Sequence, residues 1–235
     1  MICAVDRAVR IASVTLITAG LVVIADVALT LAWKEPFSSA YGSIQQQRAE
    51  DQLDDLTRSF PARTDLREVA STGGLRHKVH DLAGLFAKRI DDGEAIGRIT
   101  IPSIDLDIVV VQGTATADLE KGPGHYPDTP LPGQGATTAF AGHRTTYLAP
   151  FRHLDALERG NEIDVETPYA SFEYRVERLR IVEPSQVGIL RDTGQERLVL
   201  TACHPLYSAA QRIAAVARLS QMSFFTSGVG RWQDP

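Results

Sequence analysis

Cys203 is the residue in this chain best placed to do chemistry. A thiol attacks as thiolate, so it needs an imidazole or a cation beside it. The 235-residue chain holds two cysteines, Cys3 and Cys203, and six histidines. Two cysteines are too few for a disulfide framework, and the bland reading of a lone one is a buried small hydrophobe. Cys203, however, follows Leu198-Val199-Leu200-Thr201-Ala202. That run is apolar on both faces, so it predicts a central strand with the thiol at its rigid end, where a reacting group is best held. Among the histidines, His143 follows Phe140-Ala141-Gly142, a strand end whose glycine allows close approach. His204 adjoins Cys203, but strand neighbours point to opposite faces, so His143 is the better acid/base partner. Arg212 starts the next strand, beyond the His204-Pro205-Leu206-Tyr207-Ser208 turn. A hairpin would return it toward Cys203. Its guanidinium stays charged and donates several hydrogen bonds, which suits a developing oxyanion. Taken alone, Arg212 also reads as an ordinary strand-edge cation.

The elements that must position these groups are short strands between Gly, Pro and Asp turns. From Gly97 onward the runs Arg98–Ile101, Asp107–Val111, Thr137–Ala141, Glu162–Val165, Ser171–Val182, Leu198–Ala202 and Arg212–Leu219 predict strands, hence an all-β sandwich or barrel. In Ser171–Val182 the apolar positions are Phe172, Tyr174 and Val176, then Leu179 and Ile181. The phase slips at Glu177-Arg178, which a strand allows only with a bulge or bend.

Upstream, Ile11 to Trp33 is almost wholly apolar. As a helix it is about 35 Å long, enough to cross a bilayer and too long for the core of a cleaved signal peptide. Arg7 and Arg10 precede it, which predicts a single-pass anchor in the cell membrane, N-terminus cytoplasmic and the rest extracellular, in contact with membrane lipid. Asp26 is a carboxylate within the run. The expected organisation is a cytoplasmic segment 1–10, an anchor 11–33, a partly helical stalk or linker 34–92, a catalytic domain 93–221 and a tail 222–235. Val79, Leu82, Leu85, Phe86 and Ile90 recur at helical spacing and predict an amphipathic helix against the domain. A regulatory lid is the other reading of the linker. His125, in Gly122-Pro123-Gly124-His125-Tyr126, reads as a packing residue. The net charge of -5 argues against a nucleic-acid partner, and Cys203, His204 and His143 fall short of a metal-ligand set.

Several motifs together resemble one family. Ala141-Gly142-His143-Arg144-Thr145-Thr146-Tyr147 with Ala149-Pro150-Phe151 is similar to the histidine motif of sortases, class E above all. Leu200-Thr201-Ala202-Cys203 is similar to their cysteine motif, and Cys203-His204-Pro205, Tyr207-Ser208-Ala209 and Arg212 follow the same class, as does Pro132-Gly133-Gln134-Gly135. The resemblance covers about Gly97 to Leu219 and the anchor. It implies an eight-stranded β-barrel and a cysteine transpeptidase; some sortases bind calcium, but the sequence shows no clustered carboxylates that demand it, so no cofactor or metal is expected. Such an enzyme cuts the C-terminal sorting signal of a secreted protein between Thr and Gly, holds the acyl group as a thioester and passes it to an amine of a cell-wall precursor of the lipid II type. By match, Cys203 is the nucleophile, His143 the acid and base, and Arg212 the oxyanion-stabilising cation. Tyr147, Thr146, Thr201 and His204 would contact the signal, Tyr147 at the position linked to a preference for LAxTG over LPxTG. Ala202 replaces a Thr common in the family, and Leu148 a Gly. A hydrolase using the same residues, and a non-catalytic scaffold on the same barrel, stay open as alternatives.

Overall fold

The computed structural model describes residues 2–32, 36–71, 73–226 and 229–233. Four helices come first: α1 (Ile2–Ala32), α2 (Pro36–Ser59), α3 (Arg63–Glu68) and α4 (Leu75–Ala87). Then follow β1 (Ala95–Ile101), β2 (Leu106–Gln112), the short α5 (Thr116–Leu119), β3 (Gly124–His125), β4 (Thr137–Ala141), β5 (Glu162–Glu166), β6 (Ala170–Val182), β7 (Arg197–His204), β8 (Gln211–Thr226) and β9 (Val229–Gln233). Hydrogen bonding orders the sheet β6-β5-β1-β2-β3-β4-β7-β8, and β6 also pairs with β8, which closes an eight-stranded barrel. β9 pairs with the outer part of β8.

The long strands bury most of their apolar residues in one cluster. Ile99, Ile101, Val110, Phe140, Ile163, Val165, Phe172, Tyr174, Leu198, Leu200, Ala215 and Ala217 form one core. β6 shifts register against β8 between Val176 and Arg178, so the phase slip at Glu177-Arg178 is a bulge. Residues 222–226, expected as tail, instead continue β8: Ser223 pairs with Ser171, and Met222 and Phe224 are buried. Their alternation with Ser223 is the strand period carried past Leu219.

The linker segment is largely helical and packed. α4 buries Val79, Leu82, Ala83 and Phe86, the face its periodicity marks out. Phe60 at the end of α2, Phe86 of α4 and Tyr169 of the barrel stack at centroid distances of 5.1, 5.6 and 6.4 Å. The buried Asp65 of α3 accepts two hydrogen bonds from Arg89, at 2.9 and 2.6 Å. That guanidinium holds its carboxyl below the usual range. α2 lies along the barrel wall, with Ala49 and Leu53 against Ala95 and Val109. Gln46 is buried there and acts as a missing strand partner: its amide accepts from Val109 N at 2.9 Å and donates to Val109 O and Lys121 O at 3.0 and 2.6 Å. α1 holds an 18-residue window, Arg10–Val27, apolar and long enough to cross a membrane, with none of it buried in the protein. Within it, Thr15 and Thr18 donate their hydroxyls to the carbonyls of Ile11 and Val14, so these polar atoms need no water.

Candidate active site

Three adjacent strands bring the chemistry-bearing residues to one edge of the barrel. β4 and β7 run parallel with Ala141 paired to Thr201. Gly142 N extends that ladder by donating to Thr201 O at 3.0 Å. His143 and Cys203 therefore each stand two residues past the same paired rung. β8 returns antiparallel on the other side of β7 and sets Arg212 directly opposite Cys203. Neighbouring strands are about 4.8 Å apart, so the backbones of the three residues span about 10 Å.

His143 sits between a clash-free glycine and a fixed ring. A Cβ on Gly142 would come within 2.5 Å of the Phe151 ring, which is fully buried. Only glycine lets the chain turn there, and Phe151 N closes the turn on His143 O at 3.0 Å. Nε2 of His143 is buried with no hydrogen-bond partner among the described residues. A buried polar atom left so calls for a reason, and a reacting proton is one. Burial lowers the His143 pKa, and the Glu120 carboxylate partly restores it. Glu120 reaches the ring through Tyr147: the phenol donates to Glu120 at 3.0 Å, and the Tyr147 ring lies 5.3 Å from that of His143. On its far side Tyr147 meets the edge of Tyr41 from α2 at 6.3 Å.

Arg144 is the buried strut of this loop. Its guanidinium donates to Arg152 O at 3.2 and 3.0 Å, pairs with Asp155 at 2.9 Å and donates to Nδ1 of His204 at 3.2 Å. Tyr147, Leu148 and Ala149 follow with φ of 47°, 66° and 47°, a left-handed turn that costs about 1 kcal/mol per non-glycine residue. Ala149 N donates to Thr146 O at 2.8 Å across it.

Cys203 is a free thiol, partly exposed. Arg212 donates to Ala209 O and Gln211 O, both at 3.0 Å and both through Nη1, and its Nε and Nη2 make no hydrogen bond among the described residues. Of the expected signal contacts, Tyr147 and Thr146 stand on the histidine loop and His204 is the last residue of β7, all three half-buried. Thr201 does not reach the surface. It is buried, and its hydroxyl bonds Tyr126 OH at 2.9 Å. His125 is buried too, bonded to Gln112 at 2.9 Å, with burial lowering its pKa to about 4. Glu120, Arg144, Tyr41 and Gly42 were missed as site residues. Arg144 alone had a signal, its place beside His143. A separate concavity of about 590 Å³ lies on the β1–β5–β6 flank, lined by Arg98, Glu162, Asp164 and Glu173. Burial and the neighbouring carboxylates push Asp164 up to about 6. Among the described residues no group of three or more His, Cys, Asp or Glu side chains is set to hold a metal.

A family model described as the sortase domain matches residues 99–220. The chain is 34% identical over 116 residues to Sortase D of Bacillus subtilis, a match covering 49% of this chain and 57% of that protein. It is 28% identical over 139 residues to Sortase SrtE1 of Streptomyces coelicolor, covering 52% and 40%. The chain thus spans about half the length of these curated relatives. Among solved structures, the SrtF sortase from Corynebacterium diphtheriae aligns with a TM-score of 0.56 and 29% identity, over 60% of this chain and 91% of that one. Sortase E1 from Streptomyces coelicolor, solved with a tripeptide in the active site, aligns with a TM-score of 0.55 and 25% identity, over 59% and 95%. With its closed eight-stranded barrel and a domain match across more than half its length, the chain belongs to the sortase domain family.

Proposed function

We propose that the chain is a membrane-anchored cysteine transpeptidase that cuts the C-terminal sorting signal of secreted proteins, of LAxTG or LPxTG type, between Thr and Gly. The observation that carries this reading is the shared register of β4, β7 and β8, which places His143, Cys203 and Arg212 side by side. In the active form Cys203 is a thiolate and His143 an imidazolium. Sγ attacks the Thr carbonyl carbon, and the oxygen gathers charge opposite Arg212. Collapse breaks the Thr–Gly bond as His143 gives its proton to the leaving amine. The Thr carboxyl is then a thioester on Cys203. An amine of a cell-wall precursor of the lipid II type loses a proton to His143, attacks the thioester and expels the thiolate. Water in place of the amine would give hydrolysis by the same residues.

Tyr147 and Thr146 line the approach to His143 on a loop braced by Glu120 and α2, which supports a role in choosing the signal and a class E assignment. The apolar helix Arg10–Val27 supports anchoring, with the N-terminus cytoplasmic and the barrel outside.

The test is to give the full chain fluorogenic peptides carrying LAxTG or LPxTG, with and without an amine acceptor. Cleavage between Thr and Gly, product joined to the amine, and loss of both in Cys203→Ala are expected. An intact peptide in every reaction would overturn the assignment and favour the scaffold.

A further inference from the structure

Five large side chains remain exposed along one arc of the catalytic edge. Tyr41 and Ile44 of α2 are 45% and 53% exposed, Leu148 of the histidine loop 37%, and Leu206 and Tyr207 after Cys203 37% and 68%. Exposed singly they would be ordinary. Contacts join Tyr41, Leu148 and Tyr207 through the histidine loop, and Ile44 and Leu206 flank them about one helical turn and one residue away. Tyr41 meets Tyr147, the neighbour of Leu148. A Cβ on Gly42 would stand 3.1 Å from Leu148 Cγ. Arg152, at the far end of the same loop, sits over the Tyr207 ring at 6.0 Å and donates to its hydroxyl at 3.4 Å. A contiguous apolar arc beside a reaction site marks an interaction surface.

The course of the chain identifies what covers it. From Pro36 to Gln47 the sequence of α2 has no charged residue, whereas Glu50, Asp51, Asp54 and Asp55 crowd its second half. Tyr41, Ile44 and Arg48 fall on one helix face by their i, i+3, i+7 spacing. The uncharged half is also the half joined to α1, three residues away. At 1.5 Å per helical residue and about 3.5 Å per extended one, at most about 30 Å of chain separates Val27, the end of the apolar window, from Tyr41. Because Tyr41 touches the histidine loop, that tether cannot hold the catalytic edge far from the bilayer.

We propose that the catalytic edge rests on the membrane surface, with Tyr41, Ile44, Leu148, Leu206 and Tyr207 seated among the lipid headgroups and Arg48 and Arg152 at phosphate level. Tyrosine rings suit that layer, and arginine stems lie along apolar surface while their heads meet anionic groups. The acidic second half of α2 points away from the lipid. Cys203 then stands at the height of substrates still attached to the membrane: a lipid-linked amine, or a signal whose C-terminal flank remains inserted. The proposal rests on the anchoring reading above and extends it from a tether to an orientation.

The test uses the full chain with Cys3→Ala and Cys203→Ala in vesicles of phosphatidylcholine and phosphatidylglycerol. A nitroxide is attached in turn through Tyr41→Cys, Tyr207→Cys and Thr193→Cys, the last in the loop before β7, at the other end of that strand from Cys203. Collision with oxygen, which enters lipid, is compared with collision with a water-soluble nickel chelate. The oxygen-to-nickel ratio should be several-fold higher at positions 41 and 207 than at 193. Equal ratios at all three positions in vesicle-bound protein would overturn the orientation and leave the anchor standing. So would exclusion of both reagents at 207, the mark of a second copy covering the arc. Failure of the chain to float with the vesicles would sink the anchor, and the orientation with it.

Discussion

After β4 the chain crosses the barrel edge through residues 142–153, and after β7 through residues 205–210. The first loop is tied down along its length. Gly142 bonds β7, Phe151 bonds back to His143, Arg144 is buried among three partners, and Tyr147 is held between Glu120 and Tyr41. The second is a short exposed turn held by Ser208 N to Pro205 O at 3.0 Å and Ala210 N to the Ser208 hydroxyl at 3.2 Å. The difference follows where each residue of the proposed site is mounted. Cys203 and Arg212 are fixed by the β7–β8 ladder itself, so the turn beyond them can vary. His143 lies two residues past the end of its strand, and only the loop can hold it in place.

The largest break in this contrast should come from Gly142→Ala. The new methyl meets the immovable Phe151 ring, so the loop must shift. If His143 is the proposed acid and base, misplacing it by about 1 Å should lower kcat/KM by about 10²-fold while the far-ultraviolet circular dichroism of the barrel is kept. Adding Phe151→Leu should recover part of the rate. Recovery of nothing would count against the steric account.

Next in size, His125 sets the acid limit of stability. Its buried ring is folded in the neutral form, so the unfolded chain binds the proton more readily. Stability present above pH 6.5 should be lost as pH falls toward about 4, by up to about 3 kcal/mol. Denaturant titrations at pH 7 and pH 4.5 should show it for wild type, with a smaller loss in His125→Asn. Arg144→Gln should follow, costing about 2 kcal/mol because the half-exposed Asp155 partner is screened, and at least about tenfold in rate. Ser208→Ala on the looser turn should stay within about 0.5 kcal/mol. Equal costs for the two variants would erase the contrast between the loops.

The smallest effect should be electrostatic. Glu120 raises the proton affinity that burial lowers in His143, so Glu120→Gln should move the His143 midpoint to lower pH in an NMR titration of the ring. Tyr147→Phe, which keeps the carboxylate, should move it less. An unmoved midpoint in Glu120→Gln would remove Glu120 from the site.

Much of this was legible in the residues. Short runs between turn residues located seven of the strands, and the alternation along Ser171–Val182 located even the bulge at Glu177-Arg178, because side chains on a pleated sheet report their face at every second position. The Cys203–Arg212 pairing followed from the length of one turn. Hidden were features whose partners lie far along the chain. The two residues of β3 are too few for a period. The parallel β4–β7 pairing joins Ala141 to Thr201 across a long excursion. Nothing near Gln46 or Arg144 in the sequence reveals that Val109 or Asp155 will meet them. The docking of α2 on the histidine loop depends on Gly42, whose missing side chain signals nothing by itself.

The central claim is that one barrel edge joins Cys203, His143 and Arg212 into an acyl-transfer site. The most direct measurement is mass spectrometry of the full chain mixed with a sorting-signal peptide and quenched in acid. The account expects a thioester-linked fragment ending in Thr on the peptide containing Cys203, released by hydroxylamine and absent from Cys203→Ala. An adduct on any other residue, or cleavage that persists in Cys203→Ala, would contradict it.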